Sequence, residues 1–347
     1  MHMADALLSP PVGGAMWAAS AGTIAYCSAK LGKELDDRKV PLMGVLGAFL
    51  FAAQMINFSI PGTGSSGHLS GGLLLTILLG PCAAFLTIAS VLVVQALFFA
   101  DGGLLALGCN IFNLGFFPAF VVFPFFYSKL IGPDPSRSRL TAVTVISAII
   151  GLQLGPFAVV LETVCSGISS LPFSTFALLM QPIHLAIGLI EGVVTVAVVS
   201  FVHKARPDIL KAGCTAPYSG NGTMGNLLLA FLACAVISAA GFSLFASKEP
   251  DGLEWAIARA TGKAELKSDG QGVHGALAAL QAKSAWFPDY DFRKSAEAVA
   301  APSPGSNAHD RKVNPGTSVA GIVGTLLTLL LAFLIGLLLK RKNHTAS

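Results

Sequence analysis

Residues 72–99 read GLLLTILLGPCAAFLTIASVLVVQALFF, a run of 28 positions without one Asp, Glu, Lys or Arg. About 20 apolar residues carry a helix across a bilayer. A strand of a membrane barrel would instead show about ten residues of alternating polarity. The run therefore predicts a helical membrane protein. The Gly80-Pro81 pair inside it is a break point, because proline removes a helical donor and clashes with the preceding turn.

Outward from this stretch, further apolar runs lie at 11–29, 41–58, 104–128, 140–164, 183–202, 225–246 and 318–339. The 347-residue chain is 54% hydrophobic and 12% charged, about half the charge of an ordinary soluble domain, near 25%. Of its 40 charged residues, 19 lie in 1–246, 18 crowd into 247–317, and the last three are Lys340, Arg341 and Lys342. This distribution excludes a soluble enzyme and a disordered protein. A net charge of +4 with no basic face excludes a nucleic-acid binder. The expected partner of most of the surface is the lipid bilayer.

Lys and Arg in short loops set orientation. Lys30, Lys33, Arg38 and Lys39, then Lys129, Arg137 and Arg139, then Lys204, Arg206 and Lys211, and finally the basic tail are all expected in the cytoplasm. The N-terminus and the loop 59–71 are then outside. Parity requires an odd number of crossings within 72–128, and three fit, with breaks expected at Gly80-Pro81, Asp101-Gly102-Gly103 and Phe117-Pro118. The reading is a bundle of about seven helices over 1–215, followed by a two-helix hairpin over 216–347 with spans at 225–246 and 318–339 and an extracytoplasmic loop at 247–317. The first basic residue is Lys30, so the start lacks the positive region of a signal peptide. Six scattered Cys with no CxxC spacing read as small buried hydrophobes.

Two histidines fall on the expected outer face. The loop SIPGTGSSGHLSGG, residues 59–72, carries His68. A flexible linker is one reading; a functional loop is the other, since long connections without secondary structure tend to carry function. His2 follows Met1. A second-position His can be incidental, but the α-amine of Met1, the amide nitrogen of His2 and its imidazole Nδ1 can also chelate one ion as fused rings. A deprotonated amide needs a strongly polarising ion, and planar nitrogen ligation suits Ni(II) or Cu(II) better than Zn(II). His68 could supply the fourth nitrogen. The candidate metal residues are Met1, His2 and His68.

Several long stretches resemble the CbiM/NikM family, the substrate-binding membrane components of nickel and cobalt energy-coupling-factor transporters. They are MHMADAL at 1–7, MINFSIPGTGSSGHLSGGLL at 55–74, QALFFADGGLLALGCNIFNLG at 95–115 and PIHLAIGLIEG at 182–192. Glu249-Pro250-Asp251-Gly252-Leu253-Glu254, with Phe287-Pro288-Asp289-Tyr290 and the span at 318–339, resembles the PDGLE accessory domain, so the chain resembles a fusion of the two. The resemblance implies a metal site at Met1, His2 and His68, with Ni2+ or Co2+ as transported substrate and no bound catalytic cofactor. It also implies a bacterial plasma (inner) membrane location, a link to cobalamin biosynthesis, and as partners a coupling transmembrane subunit and two cytoplasmic ATPase subunits. The sequence has no GxxxxGK[ST] phosphate loop, so the chain is read as a transport component and not an enzyme.

Gln181, His184, Gly188 and Glu191 share one helical face, and intramembrane ionisable residues are functional candidates. Glu162 is expected as an interfacial charge at the outer end of its span. Asn57, Gln95, Asp101, Asn110 and Asn113 are expected to cap or hydrogen-bond helices at breaks. An ion-coupled secondary transporter built on Glu191 and Glu162 is the alternative function.

Overall fold

The computed structural model describes residues 2–34, 38–207, 209–210, 224–263, 266, 270–293 and 315–344. The described residues are mostly helical. The helices are α1 (Pro10–Glu34), α2 (Lys39–Gln54), α3 (Gly72–Leu79), α4 (Pro81–Phe99), α5 (Leu107–Ile131), α6 (Arg137–Ser166), α7 (Phe173–Ala205), α8 (Gly225–Ala240), α9 (Gly252–Thr261), α10 (Gly272–Ser284) and α11 (Pro315–His344). Among the described residues, six helices are long and apolar enough to cross a membrane: α4 to α7, Gly225–Phe245 and Gly316–Lys340. The run at 41–58 yields a 16-residue helix, α2.

The stretch 72–128 divides at two of the three expected breaks. Gly80, at φ 80°, ends α3, and Pro81 starts α4. Ala100 and Gly102 turn left-handed around Asp101 and end α4. Phe117-Pro118 does not break the chain. Residues Phe112–Tyr127 wind as a π-helix through Pro118 and Pro124; the wider i→i+5 pattern accommodates residues that cannot serve the normal ladder. The three segments are also unequal. α3 has only 8 residues, about 12 Å at 1.5 Å per residue, too short to span a bilayer by itself.

α6 and α7 pack along most of their length, and small residues allow it. A side chain at Gly192 would begin 2.8 Å from the Cα of Val145, and one at Gly188 3.1 Å from the Cα of Ile149. Close approach through glycine is how membrane helices gain contact where lipid offers no hydrophobic driving force. The opposite face of α7 presents Leu178, Leu185, Leu189 and Val193 at 73%, 49%, 52% and 57% exposure, as a lipid-facing stripe would.

The C-terminal helices are not a separate body. α11 lies against α2 and α8; Gly324 and Gly44 are contact points, and the Ser318 hydroxyl donates to the Ala240 carbonyl. The loop 59–71 is an ordered hairpin. β1 (Phe58–Ile60) pairs antiparallel with β2 (Ser65–Gly67), with Ser59 opposite Ser66. Gly62 and Gly64 supply the positive φ of the turn.

Candidate metal centre

The N-terminal segment reaches the site by burial of Met3, Leu7 and Leu8, which are essentially inaccessible. Asn110 of α5 clamps Met3 on both sides: its Oδ1 accepts from the Met3 amide at 2.8 Å, and its Nδ2 donates to the Met3 carbonyl at 3.3 Å. The Gly103 amide donates to the same carbonyl at 2.9 Å. The Asp5 carboxylate accepts from the Ala106 amide. These contacts fix the backbone that follows His2. Met1 lies outside the described residues.

The structure brings His2 and His68 together. Their rings stack with centroids 5.2 Å apart and planes 7° apart. The His2 side chain is 6% exposed, its Nδ1 sits 3.0 Å from Oδ1 of Asp101, and its Nε2 is buried without a hydrogen-bond partner. Chelation through Nδ1 therefore requires the imidazole to exchange Asp101 for the metal. Nδ1 of His68 faces the Leu69 carbonyl at 3.1 Å. That nitrogen must carry the proton, which leaves the lone pair on Nε2. Burial and nearby positive charge push His68 down to about 3, keeping it in the neutral form that ligates metals. Burial alone would raise Asp101, but the His2 contact and the Tyr290 hydroxyl hold its carboxyl below the usual carboxylate range.

The loop bearing His68 is fixed from within the bundle. Glu191 of α7 accepts from the Ser70 amide at 2.6 Å, the Ser70 hydroxyl at 2.7 Å and the Gly71 amide at 3.2 Å. Gln54 donates to the Ser70 carbonyl and accepts from Gln95. His184, on the same buried face of α7, donates through Nδ1 to the Met180 carbonyl at 2.8 Å, and its Nε2 has no partner. It borders a cavity of about 10 Å³ together with His68, Ser70 and Asp251, room for about one water. Glu162 departs from expectation. It is buried rather than interfacial, and accepts from Asn113 at 2.8 Å.

The segment after α8 closes over these loops. The Ser66 amide donates to the Pro250 carbonyl at 2.8 Å, the Ser66 hydroxyl to the Glu249 carbonyl at 2.7 Å, and the Trp255 indole to the Thr63 carbonyl at 3.0 Å. The Ser247 amide donates to the Asn57 carbonyl. On the other side Gln281 donates to the carbonyls of Ala96 and Gly102, and the Tyr290 hydroxyl to Oδ2 of Asp101. Gly252 rests on the His184 ring, where a Cβ would come within 3.0 Å. Between this roof and the N-terminal segment lies a chamber of about 730 Å³ bordered by His2 and His68.

Sequence reading missed Asp101 as a partner of His2 and Asn110 as the clamp on Met3. Asp101 did carry a signal: it is the one charged residue between Lys39 and Lys129. Asn110 carried none beyond its polarity. Among the described residues no group of three or more His, Cys, Asp or Glu side chains is arranged to hold a metal ion. The expected donor set has only two imidazoles, so its remaining nitrogens would come from the backbone and the N-terminus.

A multi-pass helical membrane protein, with paired imidazoles buried at the loop ends of its helices, defines a class of ion-handling membrane proteins. The chain belongs to the CbiM family, the cobalt uptake substrate-specific transmembrane region, whose pattern matches residues 2–209. A PDGLE domain matches residues 225–341. The chain is 31% identical over 339 residues to a putative fused nickel transport protein NikMN of Archaeoglobus fulgidus, covering 96% of this chain and 97% of that one. It is 35% identical over 213 residues to a putative metal transport protein of Haloquadratum walsbyi, covering 60% of this chain and 93% of that one. It is 32% identical over 223 residues to the cobalt transport protein CbiM of Sorangium cellulosum, covering 60% and 94%. A crystal structure of a transition metal transporter superposes with a TM-score of 0.52 at 29% identity, covering 59% of this chain and 93% of the other.

Proposed function

We propose that the chain is the high-affinity nickel or cobalt uptake component of an ATP-driven energy-coupling-factor transporter. The ion would be held by the Met1 amine, the His2 amide nitrogen and Nδ1, and His68. A coupling transmembrane subunit and two cytoplasmic ATPase subunits would supply the energy. The bundle would sit in a plasma membrane with seven spans in the body and two in the accessory hairpin, the N-terminus outside and the basic tail inside. The observation that carries the reading is the stacked pair of His2 and His68, 5.2 Å apart and buried beside the N-terminal segment.

Membership of a nickel and cobalt transport family supports the substrate class. The planar nitrogen set favours nickel. The alternative, an ion-coupled carrier using buried acids, gains nothing from the geometry: Glu191 is engaged by the loop and Glu162 by Asn113. The test is nickel uptake by cells carrying all partner subunits. Two variants are compared with the parent, one extended by a few residues before Met1 and one with His68→Ala. Both should lose accumulation and bound metal. Undiminished uptake by the extended chain would sink the chelate.

A further inference from the structure

Among the described residues, three non-glycine positions have positive φ: Ala100 at 54°, Asp289 at 53° and Tyr290 at 59°. A Cβ makes this region costly, and residues held in it cluster at switches, because the surrounding structure must over-determine them. All three meet at one contact. Ala100 ends α4 beside Asp101, and the Tyr290 hydroxyl, from the accessory segment after α8, donates to Oδ2 of that carboxylate. The turn that carries Tyr290 is pinned to the same helix end. The Phe287 amide donates to the Phe98 carbonyl at 3.1 Å. The rings of Phe287 and Tyr290 both stack on Phe99, with centroids 6.2 Å and 5.0 Å away.

Asp101 gives its other oxygen, Oδ1, to Nδ1 of His2. One carboxylate thus joins a strained turn of the accessory segment to the nitrogen that the chelate needs. An ion can take Nδ1 only when this contact opens. The His2 ring is buried and stacked on His68, which confines its plane, so the carboxylate is the partner that turns away. The Tyr290 hydrogen bond opposes that turn. We propose that the Phe287–Tyr290 turn is a latch on the metal site. Tyr290 is a positioning residue that holds Asp101 on His2 in the metal-free protein and lets go when the ion binds. The inference rests on the chelate reading and adds its regulation by the accessory segment. A bond made only in the closed state lowers apparent affinity, because less of the protein is competent to bind. Linkage makes the effect reciprocal: an ion that opens Asp101 also loosens the turn. Release of the hydroxyl lets the left-handed pair at 289–290 relax, which keeps the closed and open states close in free energy.

The test uses the full-length chain in lipid nanodiscs, with nickel chloride alone as probe. Calorimetric titration measures affinity, and hydrogen exchange follows the turn. Tyr290→Phe removes the hydroxyl and keeps the ring on Phe99. Its nickel affinity should rise about fivefold, the usual net worth of one hydrogen bond; a merely structural tyrosine would lower affinity when altered. On an Asp101→Ala background the same change should have no further effect, because Tyr290 acts through that carboxylate. In the parent, nickel should speed exchange of the Tyr290 and Asp291 amides, which close the turn on the carbonyls of Phe287 and Pro288. An affinity for Tyr290→Phe equal to or below the parent's would overturn the proposal. So would an equal gain without Asp101, or exchange at 290–291 that nickel leaves unchanged or slows. The exchange measurement needs no variant and decides the matter even if Tyr290→Phe fails to fold. Parent protein binding nickel no better than His68→Ala would remove the chelate, and the latch with it.

Discussion

Glu191 is the single residue on which the His68 loop most depends. A carboxylate inside a membrane bundle is costly to bury, and here three donors from Ser70 and Gly71 compensate it. Glu191→Gln keeps the shape but turns one acceptor into a donor facing donors. Leaving a buried polar group unsatisfied costs about 1–3 kcal/mol. The variant should unfold at lower temperature in detergent and hold less nickel; unchanged melting with full metal content would contradict this role. The sequence marked Glu191 as important through its place in an apolar helix. It could not say whether the residue binds an ion or a loop, because that depends on which backbone amides come within 3 Å. Asn110 presents the same limit more sharply: its two hydrogen bonds to Met3 join residues more than one hundred positions apart, which no local pattern records. Asn110→Ala should free the N-terminal segment and weaken nickel binding about tenfold, equivalent to about 1.4 kcal/mol, the usual net worth of one hydrogen bond. Isothermal titration would measure it.

His68 also gives a stability prediction for the metal-free protein. Burial first, then neighbouring positive charge, lowers its folded value to about 3 from an ordinary 6.5. The unfolded state binds the proton more readily, so stability is complete above about 6.5 and is lost as pH falls from there towards about 3. The full loss is at most a few kcal/mol. Chelator-treated protein titrated by thermal unfolding should show this slope, and His68→Phe should remove most of it. An identical slope in both would refute the assignment.

Elements follow the sequence where a periodic pattern and a breaker agree, and depart from it where one overrides the other. Gly80-Pro81 breaks the chain because Gly80 adopts φ 80°, open to glycine at little cost. Phe117-Pro118 does not, because proline can be absorbed by rewinding the helix, and nothing in the dipeptide itself tells rewinding from rupture. The short α3 was equally hidden, since its residues are as apolar as those of a full span. By contrast, the α6–α7 contact was partly legible in Gly188 and Gly192. Gly192→Ala would place a Cβ 2.8 Å from the Val145 Cα. Backbone must then move, and overpacking of this kind costs about 1–3 kcal/mol. A melting temperature equal to the parent's would show that the helices part freely.

At the scale of the molecule, the body and the accessory segment border one chamber beside His2 and His68, although relatives show that the body can be a chain by itself. The relatives from Haloquadratum walsbyi and Sorangium cellulosum are covered almost whole by the alignment yet match only 60% of this chain. The contacts that join the two parts here are made by helix faces and by the loops at Ser66, Thr63, Gly102 and Asp101. None of them needs the covalent link at 211–223. Division of the chain between 215 and 216 should therefore yield two fragments that copurify when made together. The fragment 1–215 alone should fold but expose Ser66, and its 59–71 loop should exchange amide hydrogens faster than in the intact protein. Adding fragment 216–347 should restore protection at Ser66, whose amide is held by Pro250. Protection that is already complete in fragment 1–215 would mean that the hairpin orders its own loop and the accessory segment only rests on it. Copurification without restored protection would mean that the helices associate while the roof over the chamber at His2 and His68 does not form.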